Sequence, residues 1–266
     1  MGAIKISYLS LFFYLLLIAL PILLLLHLRI RLVKSVLIAV LRMVVQLGFV
    51  ALYLETIFRW NLPWVNFLYI LIMIAVANQA ILRQSGLRFG VFFLSTLPAY
   101  LAAVLFSFLT FFIVLDVETF VSARYIIPIG GMILGNILRG NIISLDRLTH
   151  ALVKRKDEYI YYLSLGASRR EALKPFMAES MKAAIAPYIA TVSTMGLVSL
   201  PGMMTGQILG GASPAVAIQY QIMIMVAIFV TSSLSIYLSM WFSMRVAFDD
   251  CDRLRPSIFL PDGSGR

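Results

Sequence analysis

GVFFLSTLPAYLAAVLFSFLTFFIVL, Gly90 to Leu115, is a run of 26 residues without a charged side chain. As an α-helix it measures about 39 Å, enough to cross roughly 30 Å of hydrocarbon. Six more stretches on either side are long and apolar enough to do the same: Tyr8 to Leu28, Ser35 to Phe58, Leu62 to Leu82, Tyr125 to Leu145, Ala183 to Leu209 and Val216 to Met244. The first lacks a small-residue cleavage site and is longer than a secretory signal, so it reads as a retained span. Over the 266 residues, 61% are hydrophobic and 13% charged, too few polar side chains to cover a soluble domain of this size. The lipid bilayer is the expected solvent. Composition argues against a disulfide scaffold, since Cys251 is the one cysteine, and against a disordered chain or a nucleic-acid binder.

The net charge of +10 is then read as a topology signal. Alternate connections carry Arg29, Arg31 and Lys34; Arg83 and Arg88; the basic residues from Arg139 to Lys182; and Arg245, Arg253, Arg255 and Arg266. The opposite side holds Lys5, Arg59 and Arg124, and Arg42 alone falls inside a span. Seven crossings with this bias put the N-terminus outside and the C-terminus in the cytoplasm. The expected fold is all-α and polytopic: one transmembrane domain over residues 1–248 with about seven helices, and a short cytoplasmic tail over 249–266.

One connection is long. Asp146 to Lys182, DRLTHALVKRKDEYIYYLSLGASRREALKPFMAESMK, is where a soluble partner has room to dock. Its first part, through Leu165, reads as a helix leaving the membrane, and Gly166 as its left-handed C-terminus. Ser168 and Glu171 form the S-x-x-E pattern of a capping box, so a new helix starts at Arg169. Pro175 is expected to end it, leaving a short element from Arg169 to Lys174 ahead of a fresh helix. Held across two membrane helices, such an element is a lever. The plainer reading is an ordinary helix-turn-helix loop.

The sixth stretch contains GLVSLPGMMTGQILGG, Gly196 to Gly211, in which Gly202, Gly206 and Gly210 recur every four residues. That face lets another backbone approach closely, as packing seam or gate, and Gly131 and Gly135 offer a matching small surface. Pro201 interrupts the helix inside the membrane, and broken helices at that depth line substrate paths in transporters. Asn136, Gln207, Tyr220 and Gln221 add polar groups that must face one another or a watered interior. Met203, Met204, Met223 and Met225 are soft enough for Cu(I), but no Cys or His joins them and methionine also fills cores, so no metal site is assigned. Arg42 shares a helix face with Gln46 and reads as a cation reaching the headgroups.

No G-x-x-x-x-G-K-[ST] loop or H-E-x-x-H occurs, and His27 and His150, the two histidines, sit near helix ends. The chain shows no catalytic constellation and no cofactor motif of its own.

IPIGGMILGN (Ile127 to Asn136), YLSLGAS (Tyr162 to Ser168) and GLVSLPGMMTGQILGGASP followed by AIQYQIMI (Gly196 to Ile224) resemble the FetB family of ABC-transporter permeases, which includes bacterial iron exporters and plant aluminium-tolerance permeases. The resemblance implies a multi-pass protein of the plasma (inner) membrane, two copies of which join two separate P-loop ATPase subunits that bind ATP and Mg. It makes the element after Gly166 a coupling helix, with Gly166, Ala167, Ser168, Arg169, Glu171 and Ala172 carrying that role. The substrate path or gate falls to Asn136, Pro201, Gly202, Met203, Met204, Gly206, Gln207, Tyr220 and Gln221. Helix packing falls to Gly131, Gly135 and Gly210. Importer-type loops have Glu-Ala-Ala ahead of the glycine, where this chain has Ile160, Tyr161 and Tyr162, so direction of transport stays open. An ATPase-independent channel or secondary transporter is the alternative.

Overall fold

The computed structural model describes residues 7–116, 121–249 and 251–255, all in helices and connections apart from isolated β-bridges such as Met195 with Ser199 and Phe248 with Leu254. The rest of the expected tail, residues 250 and 256–266, lies outside the described residues. Ser7 caps α1 (Tyr8–Leu16), which continues after one turn into α2 (Ala19–His27). Pro21 has no N–H to give the Leu17 carbonyl, which accounts for the break. Then follow α3 (Val33–Trp60), α4 (Pro63–Gln84), α5 (Phe89–Val114) and α6 (Ala123–Lys154). The short α7 (Lys156–Ser164) leads to α8 (Arg169–Thr194), α9 (Gly202–Leu209) and α10 (Pro214–Ala247).

Six segments of the described residues are long and apolar enough to cross a membrane: α1 with α2, α3, α4, α5, α6 and α10. The core lies among α4, α5, α6 and α10, where Phe92, Tyr100, Phe111, Ile126, Ile133, Ile137, Ile236 and Met240 are buried. No residue of α1, α2 or α3 is buried, which leaves their apolar surface for lipid or a second protein.

Two expectations need correction. The stretch from Ala183 to Leu209 is not one helix: α8 stops at Thr194, residues 195–201 are irregular, and Gly196 has φ +84°. Pro201 therefore marks the end of a wider gap and N-caps α9. The second correction concerns α8, which does not stop at Lys174 but runs unbroken through Pro175 and Pro187. Pro175 withdraws its bond from the carbonyl of exposed Glu171, where water can replace it, so the continuous helix wins over a break.

α8 also crosses the depth of the bundle although Lys174, Glu179 and Lys182 keep it below the hydropathy of a span. Its first residue, Arg169, pairs with Asp252 just past the end of α10, and Met195, just past its last, meets Gln221 near the start of α10. The two helices are thus antiparallel neighbours over about 39 Å.

Candidate functional site

Gly166 and Ser168 build a sharp elbow from purely local chemistry. The Ala167 N–H donates to the Tyr162 carbonyl at 3.1 Å and the Gly166 N–H to that of Leu163 at 3.0 Å, the two bonds of a Schellman motif, with Gly166 at φ +88°. Two residues on, Ser168 Oγ accepts from the Glu171 N–H at 3.4 Å while the Glu171 carboxylate accepts from the Ser168 N–H at 2.8 Å and its hydroxyl at 2.6 Å. Those bonds from Ser168 hold the Glu171 carboxyl below its ordinary range. Gly166, Ser168 and Glu171 are exposed, Ala167 and Arg169 are half-buried, and Ala172 is buried. Ile160 and Tyr161 on the adjoining α7, with Leu165 at its C-cap, leave a greasy patch in the open.

The elbow is tied to the end of α10. After Phe248 the chain turns back, with the Arg255 N–H donating to the Ala247 carbonyl at 2.9 Å and Asp249 Oδ1 accepting from the Cys251 and Arg253 N–H groups. The turn presents the Asp252 carboxylate to the Arg169 guanidinium and its carbonyl to the Tyr159 hydroxyl at 3.1 Å. Tyr159 packs on Phe248 with ring centroids 5.3 Å apart, and burial together with the Asp252 charge pushes its phenol up to about 12.

Inside the bundle, the predicted path residues divide into two groups. Asn136 accepts, through its carbonyl, from the hydroxyl of Tyr188 on α8, and its amide donates to the Met132 carbonyl at 2.8 Å. Seven residues along α8, about 10 Å away, Gln221 lies 4.0 Å from Met195 Sδ. α9 packs on α10 nearby, with Met204 buried, Met203, Gln207 and Tyr220 half-buried, and Gln207 Oε1 without a hydrogen-bond partner among the described residues. Those groups sit around the gap at residues 195–201, apart from Asn136. Among the described residues no three His, Cys, Asp or Glu side chains gather to hold a metal. His27 is exposed, and His150 bonds the Asp146 carbonyl at 2.8 Å. Arg42 and Gln46 are exposed on α3.

The glycine positions separate too. Among the described residues, a Cβ added at Gly135, Gly202 or Gly206 would meet nothing within 4 Å, at Gly131 only Met73 at 3.5 Å, and at Gly210 only α9 backbone carbonyls, 3.2 Å or more away. Within one chain the Gly202 and Gly206 face is open rather than packed on Gly131 and Gly135. The tight approaches are elsewhere: a Cβ at Gly140 would lie 2.8 Å from the Tyr188 hydroxyl and 2.9 Å from Ile236, and at Gly130 2.6 Å from Ile70.

Sequence reasoning missed two buried polar clusters inside the bundle. Asn141 on α6 donates to Ser235 at 2.9 Å and accepts from Ser239, both on α10, while Thr96 on α5 donates to Asn78 on α4 at 2.7 Å. All five side chains are essentially fully buried. The signal was present: Ser232, Ser235, Ser239 and Ser243 recur at three and four residues, one polar stripe on an otherwise greasy helix.

Comparison with known proteins places this architecture. The model of an uncharacterised protein family, UPF0014, matches residues 8–248. The chain belongs to this family. Within UPF0014, the membrane protein YjkA of Bacillus subtilis is 34% identical over 203 residues, 76% of this chain and 80% of that protein. "Probable iron export permease protein FetB" of Escherichia coli is 35% identical over 129 residues, 48% of this chain and 50% of its own length. "Protein ALUMINUM SENSITIVE 3" of Arabidopsis thaliana is 28% identical over 226 residues, 84% and 81% of the two chains. No solved structure matches. Family and helices together make the chain a multi-pass integral membrane protein, and the family match with its FetB relative bears out the resemblance to the FetB family.

Proposed function

We propose that this UPF0014 protein is the transmembrane subunit of an ABC transporter, paired as a homodimer with two soluble P-loop ATPase subunits that carry ATP and Mg. The observation that carries the reading is the elbow at Gly166 to Glu171: it is sharply defined, exposed, flanked by the apolar patch of Ile160, Tyr161 and Leu165, and it begins an unbroken helix. A push on the elbow moves α8 as a rod. Its far end reaches Tyr188, on the Asn136 carbonyl, and then the irregular residues 195–201 and α9, where Pro201, Gly202, Met203, Met204, Gly206, Gln207, Tyr220 and Gln221 gather. A helix break at that position can change shape without rupturing a regular hydrogen-bond ladder.

The open Gly202 and Gly206 face supports contact with a second copy, and the basic bias supports a cytoplasmic C-terminus in the plasma membrane. The cargo proposed is a metal ion, iron by the name of the FetB relative, or a small metal-related solute. With oxygen, amide and thioether groups around the gap, binding would be shallow and reversible, as release demands.

The test is reconstitution with the cognate ATPase. Nucleotide hydrolysis should rise on adding the permease and fall to the ATPase's own rate with Glu171→Ala, while the variant keeps its helical content. Transport that proceeds with no ATPase present would reassign the chain to the channel or secondary-transporter class.

A further inference from the structure

A cavity of about 620 Å³ lies between the first three turns of α8 and the last turns of α10. Because the two helices are antiparallel, their sequences can be read from the same end. At the rim stand Arg169, Arg170 and Lys174 from α8 and Arg245 from α10; farther in, the walls are Met177, Met181, Met240 and Tyr237. The lining is cationic at one end and apolar at the other, and no Asp or Glu belongs to it among the described residues. Nearby acids have partners of their own: Glu171 caps Ser168, Glu179 pairs with Arg155 at 2.7 Å, and Asp252 takes Arg169. Among the described residues Arg170, Lys174 and Arg245 have no carboxylate within ion-pair distance, and Arg245 lies 3.5 Å over the Trp241 ring.

We propose that this cavity binds an anionic phospholipid from the leaflet at that end, the phosphate among Arg170, Lys174 and Arg245 and the start of an acyl chain against Met177, Met181 and Tyr237. A free phosphate would use the cations and leave the apolar depth empty; a neutral lipid would fill the depth and leave three cations unmatched. Only an anionic amphiphile satisfies both. Tyr237 and Trp241 are the aromatic types that sit at headgroup level, and basic pockets between membrane helices take acidic headgroups. Since α8 forms one wall, bound lipid would brace the helix that starts at the elbow. The inference needs only that α10 crosses the bilayer and is independent of the ATPase reading.

Trp241 makes the site observable. Trp60 and Trp64, the other two tryptophans, are exposed and can be replaced by Phe. The full chain carrying W60F/W64F is placed in phosphatidylcholine nanodiscs with increasing brominated phosphatidylglycerol or, in parallel, brominated phosphatidylcholine. The expected result is half-maximal quenching of Trp241 at a mole fraction at least tenfold lower for the anionic lipid. That preference should weaken about fivefold for each cation removed in R170A and K174A, and persist in the charge-keeping Lys174→Arg. Equal quenching by the two lipids overturns the proposal, as does a preference that survives R170A/K174A. Quenching by neither means the cavity is covered by protein, and relief by millimolar glycerol phosphate means a free anion is the ligand; either also overturns it.

Discussion

Gly166→Ala isolates the elbow from every other feature of the chain. The backbone there has φ +88°, and a new Cβ would meet nothing within 4 Å among the described residues, so the methyl group creates no clash with them. What remains is the intrinsic penalty of an L-residue in left-handed backbone, about 1–2 kcal/mol. That is roughly a tenfold loss in the population of the Schellman turn if the strain is relieved locally, since 1.4 kcal/mol is tenfold. Gly166→Asn should lose less, because Asn tolerates that region through local hydrogen bonds, and Gly166→Val should lose more. The assay is ATPase stimulation by the reconstituted permease, measured beside thermal unfolding in detergent. Stimulation should rank Gly, Asn, Ala, Val in falling order while the unfolding midpoint moves by only a few degrees. If Ala and Val match the wild-type chain, or Asn is the worst of the three, the geometry of this turn is not what the ATPase uses.

Gly140→Ala should destabilise the bundle by about 1–3 kcal/mol through its approach to Tyr188 and Ile236, whereas Gly206→Ala, with open space around it, should leave an isolated chain unchanged and weaken only a dimer, read by unfolding and cross-linking respectively. Asn141→Leu removes the bonds to Ser235 and Ser239 inside the bundle, leaving those hydroxyls only the Ser232 and Ile236 carbonyls of their own helix, and should lower stability by about 1–3 kcal/mol; a smaller loss in Asn141→Leu with Ser239→Ala than in Asn141→Leu alone would show that the lost bond between the two side chains is part of the cause. Because the Glu171 carboxyl is held below its ordinary range, its bond to Ser168 stabilises the start of α8 above the unfolded carboxylate pKa and is lost as pH falls through the folded one. The protection of the amides at residues 168–172, taken relative to the intrinsic exchange rate at each pH, should therefore fall on acidification, and Glu171→Gln should remove that pH dependence.

What the sequence determined by itself is what depends on short-range chemistry and on the solvent. An uncharged run as long as Gly90 to Leu115, in a chain this poor in polar side chains, spans a membrane whatever its neighbours, and Gly166 with Ser168 and Glu171 dictates a turn and a helix start within six residues. Tertiary structure decided the course of the chain from Arg169 to Leu209. Local rules put a break at Pro175, but Glu171 is exposed, so its freed carbonyl is open to solvent, and packing of Leu173 and Phe176 holds the helix together there, while the apolar stretch that promised one span opens at Met195. Partnership between distant residues was likewise illegible: Asn141 with Ser239, Tyr188 with Asn136, Arg169 with Asp252. Spacing along one helix shows which side chains share a face, and only the packing of α6, α8 and α10 fixes which faces meet.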